Sequence, residues 1–230
     1  GQVFTPEHIT DFMYKILDVN KDDYVLDATC GSGGFLVKAM ANMIREAGGM
    51  QSDTAAEIKS SHLYGIEFDR EIYALACANM LIHKDGKTNL EQMDARTESA
   101  CEWMKSKPIT KVLMNPPYEN KYGCMTIVEN VLDNVPAHTQ CAFILPDKKL
   151  EKASKAQIKR ILKNHRLRKV IKLPEDLFFG IGITTSIFVF EAGVGQDGKE
   201  FFACYMESDG LATVKNKGRH DIYGKWAAIE

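Results

Sequence analysis

The chain has 230 residues, 45% of them apolar, and a formal net charge of −2. That suffices to bury the core of one α/β domain, and no apolar run approaches the length of a membrane span. No charged–apolar–small-residue leader opens the sequence, and the six cysteines form no C-x-x-C and accompany no His pair at zinc-ligand spacing. Reduced thiols, no metal site and a cytoplasmic setting are therefore expected.

In chain order, apolar strand-like runs alternate with helical patterns. Thr5 is positioned to cap a helix that opens at Pro6. Residues 24–29 (YVLDAT) read as a strand, followed by Phe35, Leu36, Ala39, Met40 and Met43 at helical spacing. The polar stretch 48–62 reads as a mobile insertion. A second strand at 62–68 (HLYGIEF) leads to Ile72, Leu75, Ala76 and Met80, again at helical spacing, with Asp69 as the expected N-cap. Further strands are expected at 89–95, 111–117, 141–146, 169–174 and 185–192. This alternation predicts an α/β fold, a mostly parallel seven-stranded sheet with helices on both faces. A Gly-containing loop, not a helix, joins the last two strands, so they are an expected antiparallel pair at one edge. Residues 1–192 form the expected core. Residues 193–230 read as a turn-rich extension of the same domain with one further strand at 201–207.

Charge is unevenly spread. Residues 1–110 carry 11 basic and 17 acidic side chains, and residues 111–230 carry 18 and 14. Lys148–Lys172 alone holds eleven Lys or Arg against one acid, Glu151. Such a stretch suits phosphate contacts. It equally suits a solvated helix that buries Ile158, Ile161 and Leu162.

The first strand runs into LDATCGSGGFL. Gly31, Gly33 and Gly34 let the backbone turn sharply and approach a ligand, and the helix N-terminus beyond them offers free N–H groups. The dinucleotide pattern G-x-G-x-x-G fails at Leu36, and no phosphate-loop G-K-[ST] follows. Asp27 precedes the glycines. It would repel a pyrophosphate but suits a cationic or zwitterionic ligand, and S-adenosylmethionine has a sulfonium, an amino group and no phosphate. Glu67, at the end of the second strand, suits two ribose hydroxyls. Phe68 beside it suits an adenine face, and Asp94, at the end of the third, suits an adenine amino group.

The fourth strand ends in NPPY, Asn115–Pro116–Pro117–Tyr118. The prolines fix the backbone and donate no N–H. The Asn115 side-chain oxygen and the Pro116 carbonyl then offer two acceptors for an exocyclic amine, and Tyr118 offers a face on which a planar base stacks.

NPPY together with DATCGSGG (27–34) resembles the methyltransferases that act on adenine N6 in DNA. With GQVFTPEHI (1–9) and LPEDLFFGIGITTSIFVF, the chain is most similar to the catalytic domain of type I restriction-modification M (modification) subunits. The resemblance covers most of residues 1–192. It implies a Rossmann-like class I S-adenosylmethionine-dependent fold and methyl transfer to a flipped adenine. It also implies DNA as substrate, with a specificity (S) subunit and a restriction (R) subunit as partners. Phe4, Thr5 and Pro6 would then lie near the methionine part of the cofactor, with Asp27, Thr29 and Gly31–Ser32–Gly33. Glu67 and Phe68 would lie at its ribose and base, Asp94 and Ala95 at its adenine, and Asn115 at the transferred methyl. Phe178 or Phe179 would pack on the extruded base beside Tyr118. M subunits usually carry a helical domain before the FTP segment, so the sequence resembles an excised core or a shortened relative. Three readings compete: a protein methyltransferase acting on glutamine amides, which uses the same NPPY, an RNA adenine methyltransferase, and a non-enzymatic scaffold that only binds the cofactor or a partner.

Overall fold

The computed structural model describes residues 4–83, 89–178 and 182–230. The chain begins with helix α1 (Glu7–Ile16), then strand β1 (Val25–Asp27) and helices α2 (Gly34–Glu46) and α3 (Asp53–Ser61). β2 (Leu63–Glu67), α4 (Arg70–Ile82), β3 (Asn89–Gln92), α5 (Glu98–Lys105) and β4 (Lys111–Met114) follow. A 3₁₀ turn at Asn120–Tyr122 leads to α6 (Cys124–Asn134), β5 (Gln140–Pro146), α7 (Asp147–Lys152), α8 (Lys155–Asn164) and β6 (Arg166–Lys172). The chain then adds β7 (Thr185–Glu191), β8 (Phe202–Tyr205), a small hairpin of β9 (Ala212–Val214) and β10 (Gly218–His220), and α9 (Trp226–Ile229).

The main sheet has the order β3-β2-β1-β4-β5-β7-β6-β8. The first five of these run parallel, and β7 runs antiparallel to both β5 and β6. The expected parallel sheet and the antiparallel pairing of the last two core strands are both present. The position of the reversed strand differs from expectation. β7 inserts between β5 and β6 and is flanked on both sides, while β8, a further strand of the extension, pairs in parallel with β6, takes the edge and brings the sheet to eight strands.

Side chains of the central strands alternate between two cores, as a period of two requires. Val25, Leu113, Ala142, Ile144, Ile187 and Val189 face the layer of α1, α2, α3 and α4. Leu26, Val112, Met114, Phe143, Leu145, Phe188 and Phe190 face α5, α6 and α8. Strands buried on both faces carry the near-continuous apolar runs read from the sequence.

Two local expectations change. The stretch 48–62 is not an insertion loop. Ser52 caps α3 by accepting from the Ala55 N–H, and Ala55 and Ile58 bury against α2. Leu75, at core spacing on α4, is 61% exposed, while Ala76 and Met80 are buried. Asp69 caps α4 as expected, accepting from the Glu71 and Ile72 N–H groups.

Candidate active site

The parallel strands β1, β2, β3 and β4 deliver their carboxyl ends to one cleft of about 870 Å³, within the usual range of small-molecule sites. Phe4, Thr5, Asp27, Thr29, Gly31, Ser32, Glu67, Phe68, Asp94, Ala95, Asn115, Pro116, Pro117 and Tyr118 all line it. Pro6, Gly33 and Phe178 are not among its lining residues, and Phe179 lies outside the described residues.

The glycine turn is built from backbone constraints. Gly31 and Gly33 adopt φ of 57° and 90°, in the left-handed region that side chains disfavour. The Gly33 N–H donates to the Cys30 carbonyl at 2.8 Å, and Gly33 itself is the N-cap of α2. Glu67 ties this turn to the next strand. Its Oε2 accepts from the Gly31 N–H at 2.8 Å and its Oε1 from the Asp69 N–H at 3.1 Å. Phe68 stands beside it, 53% exposed.

Asp27 closes the floor of the cleft at 1% exposure and accepts from the Thr29 N–H at 3.1 Å. Burial pushes its carboxyl up to about 8. The Thr29 hydrogen bond opposes the rise and the charge of Glu67 adds to it. Asp94 sits in the opposite situation. Arg96 forks onto it, with Nη2 to Oδ2 at 2.7 Å and Nε to Oδ1 at 2.9 Å, and holds its carboxyl below the ordinary value. Arg96 Nη1 also donates to the Lys121 carbonyl at 2.9 Å, which fastens the loop after NPPY to the end of β3. Sequence reasoning missed Arg96. Its signal was a basic residue two positions after a strand-end acid.

At the other end of the cleft, Asn115 Nδ2 donates to Thr5 Oγ1 at 2.9 Å, and the Tyr118 hydroxyl donates to Asn115 Oδ1 at 2.5 Å. Burial keeps the Tyr118 phenol neutral, raising it far above its ordinary value. The Thr5 hydroxyl is thus spent on Asn115 and not on a helix cap. α1 starts one residue later than expected, with Pro6 as its N-cap and no side-chain cap. Phe178 is 5% exposed in the core and meets the Tyr118 ring edge-on at 6.4 Å between centroids. It supports Tyr118 from behind and offers no face of its own to the cleft.

The donor set fits S-adenosylmethionine better than a phosphate ligand. Five acidic side chains, Asp27, Glu67, Asp69, Asp94 and Glu119, line the cleft. Its two cations, Arg96 and Lys121, are paired with Asp94 and Glu119. A sulfonium or ammonium group meets an attractive field here, and a pyrophosphate meets a repulsive one. Among the described residues no group of His, Cys, Asp and Glu is arranged to hold a metal ion.

The sequence matches the model of the N-6 DNA Methylase family over residues 1–145 and 125–217. The chain belongs to this family. It is 34% identical over 229 residues, 95% of its length, to the type II restriction enzyme and methyltransferase RM.BcgI of Heyndrickxia coagulans. It is 23% identical over 218 residues, 84% of its length, to the type I restriction enzyme EcoEI methylase subunit of Escherichia coli. It spans only 36% and 43% of those two relatives. In fold, the chain is similar to the type I restriction enzyme EcoKI M protein, with a TM-score of 0.80 at 17% identity over 99% of this chain and 53% of that one. A modification subunit of a putative type I restriction enzyme from Vibrio vulnificus YJ016 shares the fold with a TM-score of 0.72 at 18% identity, over 99% of this chain and 53% of that one. No helix among the described residues is long and apolar enough to cross a membrane.

Proposed function

We propose that this N-6 DNA methylase domain transfers a methyl group from S-adenosylmethionine to the N6 amine of an adenine flipped out of DNA. One observation carries the reading. The Asn115 amide and the Gly31 turn line the same cleft, at the carboxyl ends of the neighbouring strands β4 and β1. An Asn115 on the opposite side of the sheet would have separated base from cofactor.

When bound, S-adenosylmethionine supplies a methyl group already activated on a sulfonium. The residues of the chain supply position and polarity. Asp27 and Glu67 hold the cofactor against the glycine turn. Asn115 Oδ1 and the Pro116 carbonyl accept the two N–H bonds of the amine and draw electron density toward its nitrogen. The amide oxygen of Asn115 has two lone pairs, so it accepts from the incoming amine beside the Tyr118 hydroxyl, which keeps its own bond to Oδ1. The Tyr118 ring replaces the stacking lost on flipping, a cost of about a few kcal/mol.

The segment 148–172 fits DNA contact on the same side. Lys149 reaches Asn120 Oδ1 at 2.5 Å, next to NPPY. On α8, Ile161 is buried while Lys155, Lys159 and Lys163 are exposed. Ile158 and Leu162, expected in the buried face, are only partly buried, and the exposed lysines leave a basic outer face that suits phosphate contact. The relatives are named as restriction–modification proteins, and we assign this chain the modification role. DNA specificity would come from a specificity (S) subunit or another segment, with a restriction (R) subunit or nuclease segment as a further partner.

The test is methylation with radiolabelled cofactor and duplex DNA, with a partner subunit where one exists, followed by digestion to nucleosides. Label in N6-methyladenine is expected. Label only in protein glutamine would replace the proposal. Asn115→Ala is expected to bind cofactor normally and to lose transfer by about 10²-fold or more, the effect of removing one well-placed polar group. Normal transfer by that variant would remove Asn115 from its role.

A further inference from the structure

We infer that the cluster of His8, Asp209 and Arg219 is a positioning device for the base pocket: it holds α1 against the C-terminal extension, and through α1 it holds Thr5 against Asn115. The inference deepens the proposed reaction and rests on it.

Asp209 is completely buried, an expensive place for a carboxylate. Its partners are complete. His8 Nε2 lies 3.0 Å from Oδ2, Arg219 forks onto both oxygens at 2.6 and 2.8 Å, and the Leu211 N–H donates at 3.1 Å. His8 is the second residue of α1, and Thr5 lies three positions before it. Trp226 of α9 adds edge-on contacts to His8 and Phe12, with centroids at 4.8 and 5.8 Å, both on α1. One ion pair from a largely exposed lysine, Lys15 to Glu230 at 2.7 Å, also crosses the seam. A cleft of about 810 Å³ opens along it, lined by residues of α1, α2 and the extension. Ile9 and Met13 anchor α1 in the core and Lys38 of α2 pairs with its Glu7 and Asp11, but toward the extension the buried cluster is the main polar tie. The Arg219 contact to Asp176 at 3.3 Å contributes little, because Asp176 is largely exposed.

Thr5 Oγ1 is the only protein group that Asn115 Nδ2 reaches among the described residues. Small displacements at reacting groups cost large factors in rate. A small shift of the first turn of α1, where His8 sits, would loosen Thr5 and let the Asn115 amide turn and present N–H groups to an incoming amine.

The experiment compares Arg219→Met with wild type in the whole chain, and repeats the comparison in a Thr5→Val background. Two readouts are taken: turnover on DNA adenine, and the hydrogen-exchange rate of the Asn115 side-chain amide by NMR, assigned through its loss in Asn115→Ala. Arg219→Met is expected to lower turnover tenfold or more and to speed amide exchange tenfold or more. In the Thr5→Val background it should change each by less than twofold, because the link it supports is already cut. Equal losses in both backgrounds, or an unchanged amide in a folded variant, would overturn the inference. Should Arg219→Met fail to fold, Trp226→Leu loosens the same seam without exposing a buried charge, and the same outcomes apply to it. The amide readout needs no methylation. A wild-type chain that never labels adenine would sink the proposed reaction, while the exchange rates would still decide the role of the cluster.

Discussion

Replacing Asp27 with Asn removes a titration that the fold has shifted far from its ordinary range. Burial lifts this carboxyl from 3.8 to about 8. Between those values the folded chain keeps a proton that the unfolded chain has released. Stability from this group is therefore whole below about pH 4, falls as pH rises through the window, and is gone above about pH 8. At 1.36 kcal/mol per pH unit, wild type should lose about 4 kcal/mol from this source between pH 5 and pH 8. Asp27→Asn should lose none of it. Urea unfolding at several pH values reads the difference between the two slopes, which constant costs of the substitution do not touch. The variant is thus expected to gain on wild type as pH rises while it loses the cofactor, measured by calorimetry. Wild type binding the cationic cofactor at pH 7 should also release about one proton, visible as a heat that varies with buffer. Parallel pH profiles for the two proteins would refute the reasoning.

Other expectations follow from single contacts. Gly65 on β2 has no room for a side chain: a Cβ there would meet Leu36 Cδ1 at 2.8 Å and Cys30 Sγ at 3.2 Å, with Leu90 nearer still. Gly65→Ala should cost about 1–3 kcal/mol in urea unfolding, and an unchanged midpoint would contradict that packing. Tyr118→Ala should weaken capture of the flipped base by about 1–3 kcal/mol, whereas Tyr118→Phe should keep the stack. Equal losses in the two variants, measured as KM for DNA, would assign the effect to the hydroxyl. Changing Lys155, Lys159 and Lys163 together to Ala should leave stability within about 0.5 kcal/mol. It should also flatten the dependence of log DNA affinity on log salt by up to about 2.7. An unchanged slope would take DNA off this face.

What the sequence made legible was local. The glycine turn, the Asp69 cap and the strand ending in NPPY each rest on neighbours a few positions apart, and each stands where its pattern indicated. The missed features join distant segments. Thr5 and Asn115 are separated by 110 positions and His8 and Asp209 by 201, and no periodicity encodes such a pairing. Thr5 read as a cap because Thr before Pro is a common helix opening, and a tertiary partner outcompeted that role. The helix α3 was hidden by its polar composition. Ser52 followed by Ala55 and Ile58 was its only signature. Leu75 fits the helical spacing of α4 but faces outward, since spacing alone does not say how wide a stripe the sheet covers.

The reversal of β7 has an effect beyond the sheet itself. Because Lys172 pairs with Ser186 and Pro146 with Thr185, the turn from β6 into β7 comes back on the rim where β1 and β4 end. That return stroke carries Phe178 beneath Tyr118 and brings Ile183 to the mouth of the cleft. Had the chain crossed over by a helix to run in the common direction, Tyr118 would have lacked this neighbour and the cleft this part of its lining. One inverted strand thus joins the footing of Tyr118 to the lining of the cleft.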